Sequence, residues 1–110
     1  MVQHSFDERV RESTSVLEKY PERIPIIVQS RGGIVLDKIK YLVPKDLTIG
    51  QFVYVLRKRI KLTPEKGLFI FVDKTVPMMS CSIGEIYFKH ANKDKFLYLE
   101  VSEEGAFGSF

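Results

Sequence analysis

A single thiol and two imidazole rings are the side chains of this chain that could most directly perform chemistry. Cys81 could act as a nucleophile if His90 or His4 served as its base. Cys81 directly precedes a Ser-x-x-Glu pattern typical of a helix start, and no pattern orients a base toward it. A free cysteine of this kind is usually a small buried apolar residue. We therefore predict that Cys81 is not a catalytic nucleophile.

Metal ions and nucleic acids are not predicted ligands either. One cysteine and two distant histidines do not give the ligand spacing of a zinc site, and we expect no metal. A short basic cluster could contact phosphates, but it closes a predicted helix, where the helix dipole favours positive charge. Tracking a nucleic-acid backbone needs a broader basic stripe interleaved with exposed aromatic rings. The cluster consists of Arg57, Lys58, Arg59 and Lys61.

The bulk properties indicate one cytoplasmic domain. The 110 residues suffice for a single core, and a lone cysteine fits a reducing compartment. The N-terminal residues do not resemble a signal peptide, and no apolar run approaches the about 20 residues that span a bilayer. The net charge of +3 is uneven, with 12 Lys and Arg against 7 Asp and Glu up to Lys61, and 5 against 7 beyond it. This asymmetry points toward acidic partners or an anionic membrane surface, although a solvated surface is the simpler interpretation.

The C-terminal sequence Gly105–Phe110 contains an aromatic–glycine pair, Phe107 and Gly108, behind an acidic run. Glycine lacks a Cβ and has few forbidden backbone angles, so its carboxyl carbon can be approached along a slim, extended chain. Two interpretations are open. The end could simply fray, as termini do when nothing holds them. Alternatively, Gly108 is the working terminus, and the two residues after it are present to be removed.

Three helices are predicted from capping signals and apolar spacing. The first follows Ser5, which has capping-box spacing to Glu8, and ends before Pro21; its apolar face is predicted to be Phe6, Val10, Val16 and Leu17. The second follows Thr48 and has an apolar face made of Ile49, Phe52, Val53, Leu56 and Ile60. The third follows Ser82 and is predicted to bury Ile83, Ile86 and Tyr87.

Four strands complete the pattern. They are Ile24–Val28, Asp37–Val43 after a turn at Arg31–Gly33, Leu68–Val72 and Phe96–Val101. A hairpin, a crossing helix and a returning strand make a mixed sheet with the helix on one face. We therefore predict an α+β fold, a ubiquitin-like β-grasp with a mixed four-stranded sheet, preceded by an N-terminal helical extension. The expected parts are a helical extension at 1–22, the β-grasp domain at 23–101 and a flexible tail at 102–110.

Three blocks of the sequence closely resemble one protein family. The blocks are Lys19–Val28, Lys40–Ile60 and Phe96–Gly108, and they match the family in order and spacing. The family is that of the autophagy-related ubiquitin-like modifiers, which includes the GABA-receptor-associated proteins and the microtubule-associated-protein light chains. The resemblance extends from about His4 to Gly108 and so covers nearly the whole chain.

The resemblance implies a modifier rather than an enzyme. A cysteine peptidase would cut between Gly108 and Ser109, with Phe107 as its apolar grip. Activating and conjugating enzymes would then pass the Gly108 carboxyl, by way of ATP and enzyme thioesters, to the amine of phosphatidylethanolamine. The product would be a cytoplasmic protein, monomeric in solution, whose lipid-anchored form gathers receptors and cargo on autophagosomes or other vesicle membranes. Apart from this covalent lipid, no cofactor is implied.

The second strand is implied to be the docking edge for receptor peptides that carry an aromatic residue, two variable residues and an aliphatic residue, often behind acidic residues. On pattern alone, its lysines would simply protect a sheet edge. By resemblance, the aromatic side chain would enter a pocket of Glu12, Val16, Pro25, Ile27, Lys40, Leu42 and Phe96. The aliphatic side chain would enter a pocket of Tyr41, Val43, Pro44, Leu47, Phe52 and Val55. The acidic flank would meet Arg23, Lys38 and Arg59.

Two departures from the family bear on receptor preference. The segment before the first helix is shorter than in animal relatives, and the turn at Gln29–Leu36 is tighter. Because turn geometry sets where the edge strand lies, receptor preference could differ from theirs. Two functional alternatives stay open. One is the same lipidated modifier on a non-autophagic organelle or trafficking membrane, and the other is a ubiquitin-like adaptor that is never lipidated.

Overall fold

Three helices and four strands make up the part of the chain that the structure, a computed structural model, describes, namely residues 5–32, 34–60 and 67–103. In chain order these elements are α1 (Phe6–Lys19), β1 (Arg23–Ser30), β2 (Lys40–Pro44), α2 (Ile49–Ile60), β3 (Phe69–Phe71), α3 (Ile83–His90) and β4 (Leu97–Ser102).

The strands form one mixed sheet in the order β2-β1-β4-β3. β1 pairs antiparallel with β2 and parallel with β4, and β3 pairs antiparallel with β4. Parallel pairing of β1 with β4 requires a crossover connection, and α2 and α3 both lie in that connection. This is the predicted β-grasp with a helix in front of it, so the predicted fold class is confirmed.

The main core lies between the sheet and α2. The predicted apolar face of α2 is confirmed, because Ile49, Phe52 and Leu56 have no exposed surface and the other two members pack beside them. From the sheet, Ile26 and Leu97 face these residues from neighbouring strands. α3 adds its predicted apolar residues to the same core.

The helices begin with the capping boxes that the sequence predicts. Before α1, Ser5 Oγ accepts a hydrogen bond from the Glu8 N–H at 3.2 Å, and Glu8 Oε1 accepts one from the Ser5 N–H at 2.9 Å. Before α2, Thr48 and Gln51 exchange the same pair of bonds at 3.1 and 2.9 Å. Each box satisfies backbone N–H groups that have no partner within the helix.

The second strand is shorter than predicted. The sequence favours a strand over Asp37–Val43, but the ladder with β1 covers only Lys40–Pro44. The preceding segment is shaped by a turn instead: Gly32 has a φ of 90°, and the Ser30 hydroxyl donates to the Ile34 carbonyl at 2.5 Å. These features shape the turn after β1, and the Ile39 carbonyl still accepts a hydrogen bond from the Val28 N–H at 2.7 Å just before the ladder begins. Gly33, which was also assigned to this turn, lies outside the described residues.

The last strand has the predicted length but lies one residue further along the chain, and the third strand is shorter than predicted. β4 was expected to end at Val101, but it pairs with β3 as far as Ser102, which lies opposite Phe69. The predicted tail therefore gives its first residue to the sheet. β3 itself is confined to Phe69–Phe71, because Val72 forms a separate bridge to Thr75 instead.

The first helix meets the sheet differently from the prediction. Its fully buried residue is Ser13, not an apolar one. Phe6 belongs to the predicted apolar face, but its side chain is 47% exposed and lies beneath the Arg9 guanidinium, 5.9 Å from the ring centre. Polar contacts therefore contribute much of the docking of α1.

Candidate peptide-binding site

β2 lies at one edge of the sheet. Among the described strands it pairs only with β1, so the backbone groups on its outer side face no strand of the described sheet. Such an edge can accept an added strand from another chain. Successive side chains of a strand point to opposite faces, so β2 offers different residues on its two sides.

One face of β2 lies toward α1 and carries the residues predicted for the aromatic pocket. The register pairs Pro25 with Leu42 and Ile27 with Lys40, so these four side chains share a face. Lys40 Nζ lies 2.8 Å from Glu12 Oε1, which places α1 over this face. All seven predicted residues lie on this face or on α1: Glu12, Val16, Pro25, Ile27, Lys40, Leu42 and Phe96.

Phe96 lies on the other side of β1 from β2 and on the same face as the other sheet residues predicted for the aromatic pocket. The residue after it, Leu97, pairs with Ile26 and points into the main core, so Phe96 points to the face that carries Pro25 and Ile27. It is almost completely buried. A buried aromatic ring thus lies on the sheet face that α1 covers.

The other face of β2 lies toward α2 and carries residues predicted for the aliphatic pocket. Tyr41 and Val43 point to the main core, and the Tyr41 ring meets Phe52 edge-on, with the ring centres 5.5 Å apart. Phe52 has no exposed surface, so it supports Tyr41 from behind and does not itself face solvent. The surface on this side comes from Pro44 and Val55, both exposed, beside the half-buried Leu47.

The residues predicted to meet an acidic flank are exposed and partly engaged already. Lys38 Nζ lies 4.9 Å from the centre of the Tyr41 ring. Arg59 Nη2 lies 3.5 Å from Asp37 Oδ2, and Arg23 Nη1 donates to a β2 carbonyl at 3.4 Å. Burial raises the pKa of Tyr41, and Arg59 opposes this shift. Positive charge therefore lies near both ends of β2, because Lys38 comes shortly before its first residue and Arg23 pairs with its last residue, Pro44. Arg59 adds positive charge beside the aliphatic side.

A buried carboxylate under α1 was not found by sequence reasoning. Asp94 is fully buried, and its Oδ2 lies 2.8 Å from Arg9 Nε and accepts a short hydrogen bond from the Tyr98 hydroxyl. Its Oδ1 accepts from the Phe96 N–H at 3.0 Å, and its carbonyl accepts from the Ser13 hydroxyl at 2.6 Å. One residue thus joins α1 to the beginning of β4.

The electrostatics of this cluster keep Asp94 charged and Tyr98 neutral. Burial alone would raise the pKa of Asp94, but hydrogen bonds from Tyr98, the Phe96 N–H and Arg9 hold it below its ordinary value. Burial, together with the charge on Asp94, raises the pKa of Tyr98 to about 12. The hydrogen bond to Asp94 raises the pKa of Arg9. The cluster is therefore an ion pair supported by a protonated phenol at neutral pH.

The side chains considered for catalysis lie apart from this edge. Cys81 is a half-buried free thiol, and His90 Nδ1 contacts Asp73 Oδ2 at 2.5 Å. Within the described ranges, no group of three or more His, Cys, Asp or Glu side chains could hold a metal ion. Lys58 of the basic cluster lies over the Tyr54 ring, 4.6 Å from its centre.

Several predicted features fall outside the described residues. His4, Lys61 and the proposed processing residues Phe107, Gly108 and Ser109 belong to this set. The described helices include none that is both long and apolar enough to span a bilayer.

The sequence and the fold both match known proteins. A family model described as "Autophagy protein Atg8 ubiquitin like" matches residues 8–108. Autophagy-related protein 8 of Mycosarcoma maydis is 51% identical over 109 residues, which cover 96% of this chain and 92% of the relative. The protein of the same name from Schizosaccharomyces pombe is 51% identical over 108 residues, covering 96% of this chain and 89% of the relative.

Two solved structures share the architecture. The crystal structure of Trypanosoma brucei ATG8 superposes with a TM-score of 0.88 at 43% identity, covering 96% of this chain and 94% of that one. The structure of Plasmodium falciparum Atg8 in complex with a Plasmodium falciparum Atg3 peptide gives a TM-score of 0.87 at 28% identity, covering 97% of this chain and 100% of that one.

Proposed function

This chain belongs to the Atg8 family of ubiquitin-like autophagy proteins, and we propose that it is a lipid-conjugated modifier that recruits receptors to autophagosomal membranes. The observation that carries the receptor part of this proposal is the edge strand β2, whose two faces carry different sets of side chains. The conjugation part is supported by the Phe107–Gly108 pair that follows the ubiquitin-like fold.

Conjugation uses the chain as an acyl donor. Hydrolysis of the peptide bond between Gly108 and Ser109 by a cysteine peptidase frees the Gly108 carboxylate. ATP activates that carboxylate, enzyme thiols carry it as a thioester, and the amine of phosphatidylethanolamine displaces the last thiol to give an amide. The modifier supplies only the slim terminus and no catalytic group. The complex of Plasmodium falciparum Atg8 with an Atg3 peptide supports a conjugating enzyme as a partner.

Attachment to phosphatidylethanolamine explains how a chain of this kind would stay on a membrane. Burial of each CH₂ contributes about 0.8 kcal/mol, and a single acyl chain anchors only marginally. Phosphatidylethanolamine brings two acyl chains at once. Basic residues near an anionic surface add roughly 1 kcal/mol each, so they assist an anchor that the acyl chains determine.

Receptor docking at β2 combines strand addition with two anchors. An added strand gains backbone hydrogen bonds of about 0.5–1.5 kcal/mol net each. Two buried anchors add about 1.5–3 kcal/mol apiece, against an association cost of at least about 4 kcal/mol. These modest terms favour micromolar rather than nanomolar affinity, which becomes effective when many copies share one membrane and raise the local concentration.

The conjugation proposal is tested by the mass of the protein recovered from cells. We expect the native chain to lose Ser109 and Phe110, and its membrane fraction to carry the additional mass of one phosphatidylethanolamine. Gly108→Ala is expected to block both changes, while the matched variant Gly105→Ala leaves them intact. If Gly108→Ala is still trimmed and still found on vesicles, the conjugation proposal is wrong and an adaptor that is never lipidated takes its place. Imaging of a tagged copy on a membrane unrelated to autophagy would favour the other alternative.

The docking proposal is tested by titration of a fluorescent peptide with the sequence aromatic-x-x-aliphatic behind two acidic residues. We expect Lys38→Glu and Lys40→Glu each to weaken binding by about tenfold, because each replaces attraction by repulsion at the edge. Lys89→Glu reverses an exposed charge on α3 and is the control, with unchanged affinity. Equal affinity for all three variants would contradict docking at β2.

A further inference from the structure

The carboxylate of Asp94 contacts both structures that enclose the aromatic pocket. Through Oδ2 it holds Arg9 of α1, and through Oδ1 it holds the backbone N–H of Phe96. Phe96 is itself a pocket residue, and α1 contributes the opposite wall. Asp94 is fully buried and does not line the pocket.

We propose that Asp94 and Arg9 are positioning residues of this peptide-binding pocket, which fix the separation between α1 and Phe96 that an aromatic anchor requires. This inference rests on the proposed docking of receptor peptides at β2. It assigns a binding role to a fully buried carboxylate, which a docked peptide would not touch, and to the guanidinium that pairs with it.

The spacing along α1 connects Arg9 to the pocket wall. Arg9, Ser13 and Val16 follow one another at intervals of four and three residues, so they lie along one face of the helix. Glu12 is a neighbour on that face and reaches Lys40. A displacement of α1 at Arg9 would therefore move Glu12 and Val16 relative to the sheet.

The two exposed polar contacts of α1 are weaker than the buried Asp94 cluster, to whose backbone carbonyl the Ser13 hydroxyl also donates. The pair between Glu12 and Lys40 has side chains that are 41% and 39% exposed, and exposed pairs of this kind contribute little. Lys95 Nζ donates to Thr14 Oγ1 at 3.3 Å on the surface. By contrast, loss of the cation beside a fully buried carboxylate strongly destabilises the folded protein. The pair between Asp94 and Arg9 therefore fixes the position of α1.

The experiment measures how much of the peptide affinity depends on each anchor. Three peptides are titrated against each variant: the aromatic-x-x-aliphatic peptide, the same peptide with alanine in place of the aromatic residue, and the same peptide with alanine in place of the aliphatic residue. For each anchor, the preference is the ratio of the affinity for the unmodified peptide to the affinity for the peptide with alanine in place of that anchor. A merely structural role for Asp94 would lower both preferences together.

We expect Arg9→Gln and Asp94→Asn to reduce the preference for the aromatic anchor by about tenfold and to leave the preference for the aliphatic anchor unchanged. Arg9→Lys keeps the positive charge and is expected to restore most of the aromatic preference. Asp73→Asn is the matched control, since it also removes a carboxylate from a pair with a basic side chain, and neither preference should change. Circular dichroism of Arg9→Gln, whose side chain is only partly buried, checks that the fold persists.

The outcomes separate this inference from the docking proposal. If the unmodified protein shows no preference for an aromatic anchor, docking at β2 is wrong and the inference falls with it. If the unmodified protein shows the preference and folded Arg9→Gln keeps it, the docking proposal stands and the positioning role is wrong. Equal loss of both preferences in Arg9→Gln would also overturn the positioning role.

Discussion

Thr48 and Ser82 pair with each other in an antiparallel bridge, and each of them caps the helix that follows it. The segments around the bridge exchange backbone hydrogen bonds: the Ile49 N–H donates to the Cys81 carbonyl at 2.8 Å, and the Ile83 N–H donates to the Leu47 carbonyl at 2.7 Å. The first N–H group of each helix thus donates to a carbonyl in the segment just before the other helix. This reciprocal arrangement holds α2, and with it the aliphatic side of β2, from behind.

The reciprocal caps predict coupled losses of stability. Ser82→Ala and Thr48→Ala are each expected to lower the free energy of unfolding by about 1 kcal/mol, because each removes a capping hydroxyl. Since the two caps share one bridge, the double variant should depart from the sum by at least about 0.5 kcal/mol. Urea unfolding curves measure these values. Ser5→Ala removes the distant cap of α1 and should add to Ser82→Ala within error; additivity in the Thr48–Ser82 pair would contradict the coupling.

Variants of Phe52 and Val55 distinguish a packing role from a recognition role on the aliphatic side of β2. Phe52→Ala is expected to lower the free energy of unfolding by about 3–5 kcal/mol, because it leaves a cavity under the Tyr41 ring. Val55 is 41% exposed, so Val55→Ala should change stability by less than about 1 kcal/mol and still weaken binding of the peptide. Thermal unfolding and peptide titration together check this. Unchanged affinity of Val55→Ala for the peptide would remove Val55 from the pocket.

The pair between Glu12 and Lys40 is expected to contribute little to stability. Its side chains are 41% and 39% exposed, so a double-mutant cycle with Glu12→Gln and Lys40→Met should give a coupling below about 1 kcal/mol. Raising the salt concentration should reduce the coupling further, because exposed charges are screened. The cycle is measured by urea unfolding at low and high salt. A large coupling that salt does not change would contradict this view of the pair.

The Asp94 cluster makes stability depend on pH at both ends of the scale. The folded-state pKa of Asp94 lies below its ordinary 3.8, so its contribution is complete above that pH and is lost as the pH falls through the lower value. The pKa of Tyr98 is raised from 10.0 to about 12, so its contribution is complete below pH 10 and is lost as the pH rises toward 12. Urea midpoints across this range test both limits.

Tyr98→Phe is the variant that isolates the alkaline limit. It removes the titrating hydroxyl but keeps the ring, so its stability should decline less between pH 10 and 12 than that of the unmodified protein. An identical alkaline decline in both proteins would show that Tyr98 does not cause it. Asp94→Asn removes the titrating carboxyl group, so its stability should decline less at acid pH than that of the unmodified protein.

Local signals were sufficient for most of the fold. The capping boxes at Ser5 and Thr48 place the helix starts correctly because a cap is decided by residues three positions apart. The α2 face was also correct, because apolar residues at helical spacing have one way to be buried. The fully buried Ile49, Phe52 and Leu56 are the clearest examples.

Contacts between residues far apart in the chain could not be predicted from local sequence patterns. Asp94 stands two residues before Phe96 in a polar segment, which favours a local turn, and the hydrogen bond to the Phe96 N–H is such a contact. Nothing local indicates that its other oxygen binds Arg9, 85 positions away. The start of β2 was misplaced for a related reason: alternation alone favours Asp37, but pairing begins where the turn geometry allows it, at Lys40. The positions of the pocket residues came from resemblance and remain a prediction as a binding site.

The alternation of β2 sets a rule for the spacing of any ligand that lies beside it as a strand. The residues predicted for the aromatic pocket lie on the α1 side and those predicted for the aliphatic pocket lie on the α2 side, so two anchors that fill both must project in opposite directions. In a pleated strand, two residues project in opposite directions only when their sequence numbers differ by an odd number. The anchors of an aromatic-x-x-aliphatic motif differ by three and satisfy this condition. In a helix, residues three apart share a side, so a helical segment could not fill both pockets. A partner of this edge would therefore have to present its motif as an extended segment, and inserting or deleting one residue between the anchors is expected to abolish recognition.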